Sequence, residues 1–384
     1  MEERIDSRRL MKQAAELTGL NDFGEIPFKE ALAVLVDALE SEAKLDDARR
    51  AEAKRTLVGV LAKRLMLTAD RNKYPEIAKE IIKSPIFIVG LPRTGSTNLH
   101  GLIAQCEGVR APRLWEMAMP SPPPTRETYE TDPRIQTVHK GIVGSVSDEL
   151  MARHPIGATR PEQCNMLSEH AFMNWALMAA HEIPSYRDWL LTADHGPAYE
   201  AHRQALQHLQ WRHTGQWVLK YPKHLFTLDA LLAAYPDAKL IWTHRDPGKI
   251  IPSVVSLIEA FRKATPGYDP IKLGRSWAPF EELGLLRGLA TRDHSIRPEQ
   301  IIDVHYRYVM RDPIAVIEGI FTHFGMALSD SSRKNIRRFV SDNPQTKHGV
   351  HTYSAEQFGL EEERIRTAYR SYMDRFNITD RTIE

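Results

Sequence analysis

Residues 84–97, SPIFIVGLPRTGST, set a β-branched run before a loop bounded by Gly90 and Gly95, and a helical pattern starts directly after it. A strand that feeds such a loop and leaves through a helix start aims successive backbone N–H groups, and the positive end of the helix, at one anion. A loop for a nucleoside triphosphate carries Lys after its second glycine, to reach the outer phosphates. Here Ser96 and Thr97 follow Gly95, and the only cation, Arg93, lies inside the loop. The expected ligand is a nucleotide 5′-phosphate rather than a triphosphate tail, held by Arg93, Thr94, Gly95, Ser96 and Thr97.

A second anion signal lies downstream. The strand-like run Leu240–His244 leads into Arg245-Asp246-Pro247, and Ser253 falls on the second turn of the helical pattern that follows. An Arg at a strand end and a hydroxyl eight positions later can converge on one phosphate, although Arg-Asp-Pro alone also reads as a salt-bridged helix start. Lys220, directly after Trp217-Val218-Leu219, is aimed at the carboxyl edge of its strand.

In this order the motifs resemble the sulfotransferases that use 3′-phosphoadenosine 5′-phosphosulfate (PAPS). The family's 5′-phosphosulfate loop is similar to residues 91–97, and its 3′-phosphate motif to Arg245 and Ser253. The segments Leu219–Leu225 and Tyr235–Lys239 resemble its Lys-x-Pro and Phe-Pro-x-Ala-Lys elements. His305-Tyr306-Arg307-Tyr308, ahead of Asp312-Pro313, resembles a Tyr-Glu-Asp segment whose Tyr lies near the adenine, which implies that role for Tyr306. Residues 347–353 resemble a loop of bacterial members, with Lys347 near a nucleotide phosphate. Two departures stand out: Arg93 replaces the Lys of many cytosolic members, as in the carbohydrate and tyrosylprotein branches, and Arg307-Tyr308 replaces Glu-Asp.

The resemblance implies transfer of a sulfuryl group from PAPS to a hydroxyl acceptor, with release of adenosine 3′,5′-bisphosphate (PAP). Such a transfer passes through a loose transition state, so the enzyme positions the partners and stabilises charge on the leaving oxygen. Arg93 and Lys220 are the expected cations there. The transferred SO₃ group carries less charge than a phosphoryl group, so no metal is required, and the sequence holds no HExxH, paired CxxC or EF-hand run.

The acceptor hydroxyl needs a base. Glu116, in Leu114-Trp115-Glu116-Met117 and 23 positions after Arg93, sits where the carbohydrate and tyrosylprotein branches place a catalytic Glu. Apolar neighbours Trp115, Met117 and Met119 raise its pKa if they enclose it. His154, about 60 positions after the loop, is the competitor, and Glu116 is preferred. His170, Glu162 and Glu169 are further candidates near the acceptor pocket, with a solvated or capping role preferred; Arg333, Lys334, Arg337 and Arg338 read as a solvated helical face, with phosphate contact by one of them the lesser option. A phosphoryl-transferring P-loop kinase or nucleoside triphosphatase, and an inactive nucleotide-binding module, are the rival functions.

These residues require a scaffold. Short apolar runs alternating with helical patterns after residue 84 imply an α/β fold with a P-loop-type parallel sheet flanked by helices. Strands are expected at Ile86–Val89, Trp217–Lys220, Lys239–Thr243 and Ile301–His305, with helices near 95–105, 224–234, 248–262 and 312–324. Three- and four-residue apolar spacing makes residues 1–83 a helical N-terminal extension, with a helix start at Leu45-Asp46-Asp47. The sulfotransferase domain then covers 84–384 and includes a helical substrate insertion over about 130–215, rich in His, Trp and Met.

The 384 residues can bury a substantial core, and 51 basic against 50 acidic residues leave a net charge of +1. No global field points to nucleic acid or an anionic membrane as partner. Two cysteines, Cys106 and Cys164, a charged N-terminus and the lack of any apolar run near ~20 residues lead to the expectation of a cytoplasmic protein without a transmembrane segment. The expected partner is a small-molecule or glycolipid hydroxyl acceptor.

Overall fold

The structure is a computed structural model that describes residues 4–343 and 353–379. Its chain forms two compact units: residues 1–82, 113–142 and 164–214 make the first, and 83–112, 143–163 and 215–384 the second. The sequence-based division is a single cut near residue 83. The first compact unit also takes in residues 113–142 and 164–214.

The second unit holds a five-stranded sheet, β1 (Ile86–Gly90), β2 (Val109–Arg110), β3 (Gln216–Lys220), β4 (Lys239–His244) and β5 (Ile301–His305), in the order β2-β3-β1-β4-β5. Every pairing is parallel, with Ile86 opposite Val218 on one side and Lys239 on the other. All five residues of β1 are buried. An uninterrupted apolar run is what a central parallel strand covered on both faces needs. One face packs Ile86, Ile88, Val218 and Ile241 against Leu99 and Leu102 of the helix Ser96–Ile103. Parallel order brings the carboxyl ends of β1, β3, β4 and β5 to one edge, where an open α/β sheet binds ligands.

The four expected strands agree with β1, β3, β4 and β5 to within a residue. The two-residue β2 is too short to leave a periodic signal. The expected helix over 224–234 is a 3₁₀ turn, Pro222–Phe226, followed by Leu228–Ala234. The 26-residue helix Pro270–Ser295 has no counterpart in the sequence reading, because Pro279 and three glycines interrupt its apolar spacing.

The first unit is helical. Asp46 caps the helix Asp47–Lys73 by accepting from Arg49 N at 2.8 Å, the start expected from Leu45-Asp46-Asp47. Buried Leu10, Leu32, Leu35, Leu61 and Leu65 form part of its core. Among the described residues, no helix is long and apolar enough to cross a membrane.

Candidate functional site

At the edge of β1 the loop turns through two left-handed residues, Arg93 at φ 65° and Gly95 at φ 79°. Gly95 is the N-cap of the helix Ser96–Ile103. A Cβ there would lie 2.5 Å from the Tyr306 ring, so only glycine permits both the turn and the close approach. A non-glycine residue such as Arg93 in this region is strained, a feature that clusters at ligand clamps. The Thr94 hydroxyl donates to Leu91 O at 2.8 Å and sits 2.6 Å from Thr243 Oγ1, so it braces the loop on β4. Thr94 would therefore serve an anion through its main chain. The Lys220 ammonium, at the end of β3 and 2% exposed, reaches Thr97 Oγ1 at 3.3 Å.

Arg93, Arg245, Ser253 and Tyr306 come together. Arg93 Nε donates to Ser253 Oγ at 3.1 Å, and Arg245 Nη1 donates to Arg93 O at 3.1 Å. The Arg245 guanidinium lies 4.3 Å above the Tyr306 ring. Its Nε is buried and has no hydrogen-bond partner among the described residues. Burial pushes Arg93's pKa below its ordinary value, and the nearby Arg245 and Arg153 charges act the same way. Three guanidiniums this close are mutually repulsive, and an anion among them relieves that repulsion.

Beside Lys220 stands a second arrangement. His154 Nε2 lies 3.2 Å from Glu162 Oε1, which also accepts from Gln163 N at 2.8 Å. Burial alone would raise the Glu162 pKa, but the His154 ring, the Lys220 ammonium and the Gln163 N–H more than offset it and bring it to about 2. The carboxylate therefore stays ionised at any physiological pH. His100, fully buried with Nε2 3.0 Å from Val218 O, is pushed down to about 4 by burial and by Lys220, and stays neutral.

Glu116 lies in the first unit, on the helix Leu114–Ala118, with no exposed surface. Its Oε1 accepts from Arg113 N at 3.0 Å and from Tyr129 OH at 2.6 Å, so the carboxylate takes up the N-cap N–H at the start of the helix. Trp115 and Met117 are buried around it, whereas Met119 is 37% exposed. Lys347, His348 and His351 lie outside the described residues. Among the described residues, no group of three His, Cys, Asp or Glu side chains is placed to hold a metal ion.

A family model described as the sulfotransferase family matches residues 85–330, well over half of the chain. The chain belongs to the sulfotransferase family. A solved sulfotransferase, STF1 of Mycobacterium tuberculosis H37Rv, superposes with a TM-score of 0.85 at 31% identity, over 97% of this chain and 100% of that one. STF9 of Mycobacterium avium gives 0.89 at 26% identity, over 99% of both chains. An omega-hydroxy-beta-dihydromenaquinone-9 sulfotransferase, Stf3 of Mycobacterium tuberculosis, is 23% identical over 309 residues, 75% of this chain and 74% of its own length.

In this sulfotransferase the sequence reading missed Arg153, whose carbonyl accepts from Arg93 Nη1 at 2.8 Å and whose own guanidinium donates to Ser256 O. Nothing in its local sequence marks it apart from other helix-end arginines. For Glu162 the sequence favours a solvated or capping role over one near the acceptor. Its weak signal is a carboxylate eight positions after His154, directly after Pro161.

Proposed function

We propose that this protein transfers the sulfuryl group of PAPS to an acceptor hydroxyl. The new bond joins the acceptor oxygen to sulfur while the bond from sulfur to the 5′-phosphate oxygen breaks. PAP leaves with the electron pair of that bond, and the acceptor proton passes to a base. The observation that carries this reading is the shared position of Arg93. It belongs to the 5′ loop, yet it donates to Ser253 while its carbonyl accepts from Arg245. Two anion pockets tied in this way suit a nucleoside with charge at both its 5′ and 3′ ends. The pattern does not call for the magnesium-bound tail of a triphosphate.

In this reading the loop residues 93–97 and the helix start hold the 5′ end, and Arg245 and Ser253 the 3′-phosphate. Tyr306, wedged between Gly95 and Arg245, keeps the two pockets apart. Lys220 faces the leaving oxygen beside Thr97. His154 is the base, its Nε2–H held by the ionised Glu162 so that Nδ1 presents the lone pair, as a carboxylate orients an imidazole elsewhere. Glu116, the base expected from the sequence, has the capping role instead. The variant Glu116→Gln tests this assignment directly, because a collapse of turnover with intact PAP binding would return the role to Glu116.

Calorimetric titration with PAP and with magnesium–ATP tests the donor. PAP is expected to bind the tighter, and the reverse order would favour a phosphoryl-transfer enzyme. Acceptors are then screened with labelled PAPS. The relative named for omega-hydroxy-beta-dihydromenaquinone-9 makes a hydroxylated lipid quinone the first to assay. Lys220→Ala is expected to lower kcat by roughly 10²–10³-fold, the usual cost of removing one group that stabilises developing charge.

A further inference from the structure

Arg245 is followed directly by a carboxylate, Asp246, which would be a ready partner for its guanidinium. The structure gives Asp246 a different partner. Arg366, on the helix Glu362–Ala368, donates from Nε to both Asp246 oxygens at 3.2 and 3.1 Å and from Nη2 to Oδ2 at 2.8 Å. Both residues are buried, at 7% and 5% exposure. A Cβ on Gly248 would lie 2.9 Å from Arg366 Nε, so the guanidinium lies close against the turn. Asp246 Oδ1 also accepts from Gly248 N at 2.8 Å and so starts the helix Pro247–Arg262 that carries Ser253.

The same turn has further ties to the C-terminal segment. His244 Nδ1 lies 2.8 Å from Tyr372 OH, Tyr353 OH donates to Lys249 O at 3.2 Å, and Lys249 pairs with Glu362 at 3.1 Å.

We propose that Arg366 is a positioning residue for the 3′-phosphate pocket: by holding the Asp246 carboxylate, it prevents Asp246 from neutralising Arg245 and leaves that guanidinium to the ligand. This rests on the reading that Arg245 and Ser253 bind a nucleotide 3′-phosphate. Without Arg366, the buried carboxylate has Arg245 as the nearest cation in sequence and competes with the phosphate for it. The 3′-phosphate then adds little to binding, whereas the 5′ loop, braced separately by Thr94 on Leu91 O and Thr243, keeps its hold on the 5′-phosphate.

The test compares the dissociation constants of PAP and of adenosine 5′-monophosphate, which lacks the 3′-phosphate. In wild type PAP is expected to bind at least 100-fold tighter than the monophosphate. Equal affinities would overturn the nucleotide reading itself. In Arg366→Gln the preference for PAP is expected to fall at least tenfold with monophosphate binding unchanged. Adding Asp246→Asn, which removes the competing charge but keeps a capping side chain, is expected to restore most of the preference.

Equal loss of both ligands in Arg366→Gln, no loss, or no rescue in the double variant would overturn the proposal. Should Arg366→Gln fail to fold, hydrogen exchange on the wild-type protein decides. PAP is expected to slow exchange over residues 362–375 and the monophosphate not to, and equal protection by the two would overturn it.

Discussion

A carboxylate enclosed beside an imidazole and an ammonium can orient the one and steady the other, and Glu162 has that position between His154 and Lys220. Glu162→Gln keeps the shape and removes the charge. Its kcat is expected to fall about 10- to 100-fold, with PAP affinity changed less than threefold, and His154→Asn to fall by roughly 10²–10⁴-fold, the contribution typical of a general base. Steady-state kinetics paired with PAP calorimetry checks both, and unchanged turnover in either variant would remove the pair from the mechanism. Gly95→Ala belongs to the same scale. The left-handed φ and the Tyr306 ring 2.5 Å from the added Cβ predict a loss of PAP affinity of at least tenfold, read by titration, in a protein that still melts cooperatively.

At the scale of elements, the loop depends on the helix behind it. Leu99 of Ser96–Ile103 is fully buried in the cluster under the sheet, so Leu99→Ala is expected to destabilise the protein by about 2–5 kcal/mol. Urea unfolding measures this, and a smaller loss of PAP affinity should accompany it as the helix start loosens.

Elements were also the scale most legible in the sequence. Ile86–Val89 announces a central strand because every residue is apolar, and Gly90 and Gly95 bracket the turn that must follow it. Asp46 is legible as a cap because its side chain acts on its own neighbours. The helix Pro270–Ser295 was not, since its glycines and Pro279 lower local propensity and only packing holds it helical.

For the whole molecule, buried histidines set an acid limit. Burial pushes His100 to about 4 and His170 and His202 to about 3, so all three are neutral in the folded protein. The unfolded chain binds their protons from near pH 6.5 downward, so stability holds above that pH and declines as pH falls toward 3–4. His100 alone contributes a loss of up to roughly 3 kcal/mol by pH 4. Glu162 adds a loss of the same sign below about pH 4.5, where the unfolded carboxyl takes up a proton first. Thermal melts at pH 7 and pH 4.5 should show a marked drop at the lower value, and coincident melts would contradict this burial.

Local patterning is enough for four of the five strands, the turn at residues 90–97 and the candidates for both anion pockets. These depend on short-range patterning, on left-handed φ and on residue types that no fold can alter. Tertiary structure alone decided which side chains meet. It brought Arg93 to Ser253 across 160 positions, set Glu162 beside Lys220 and fixed Arg366 on Asp246. Contacts of that kind follow from the order of strands in the sheet and from which charges are buried together, and neither is written in local spacing.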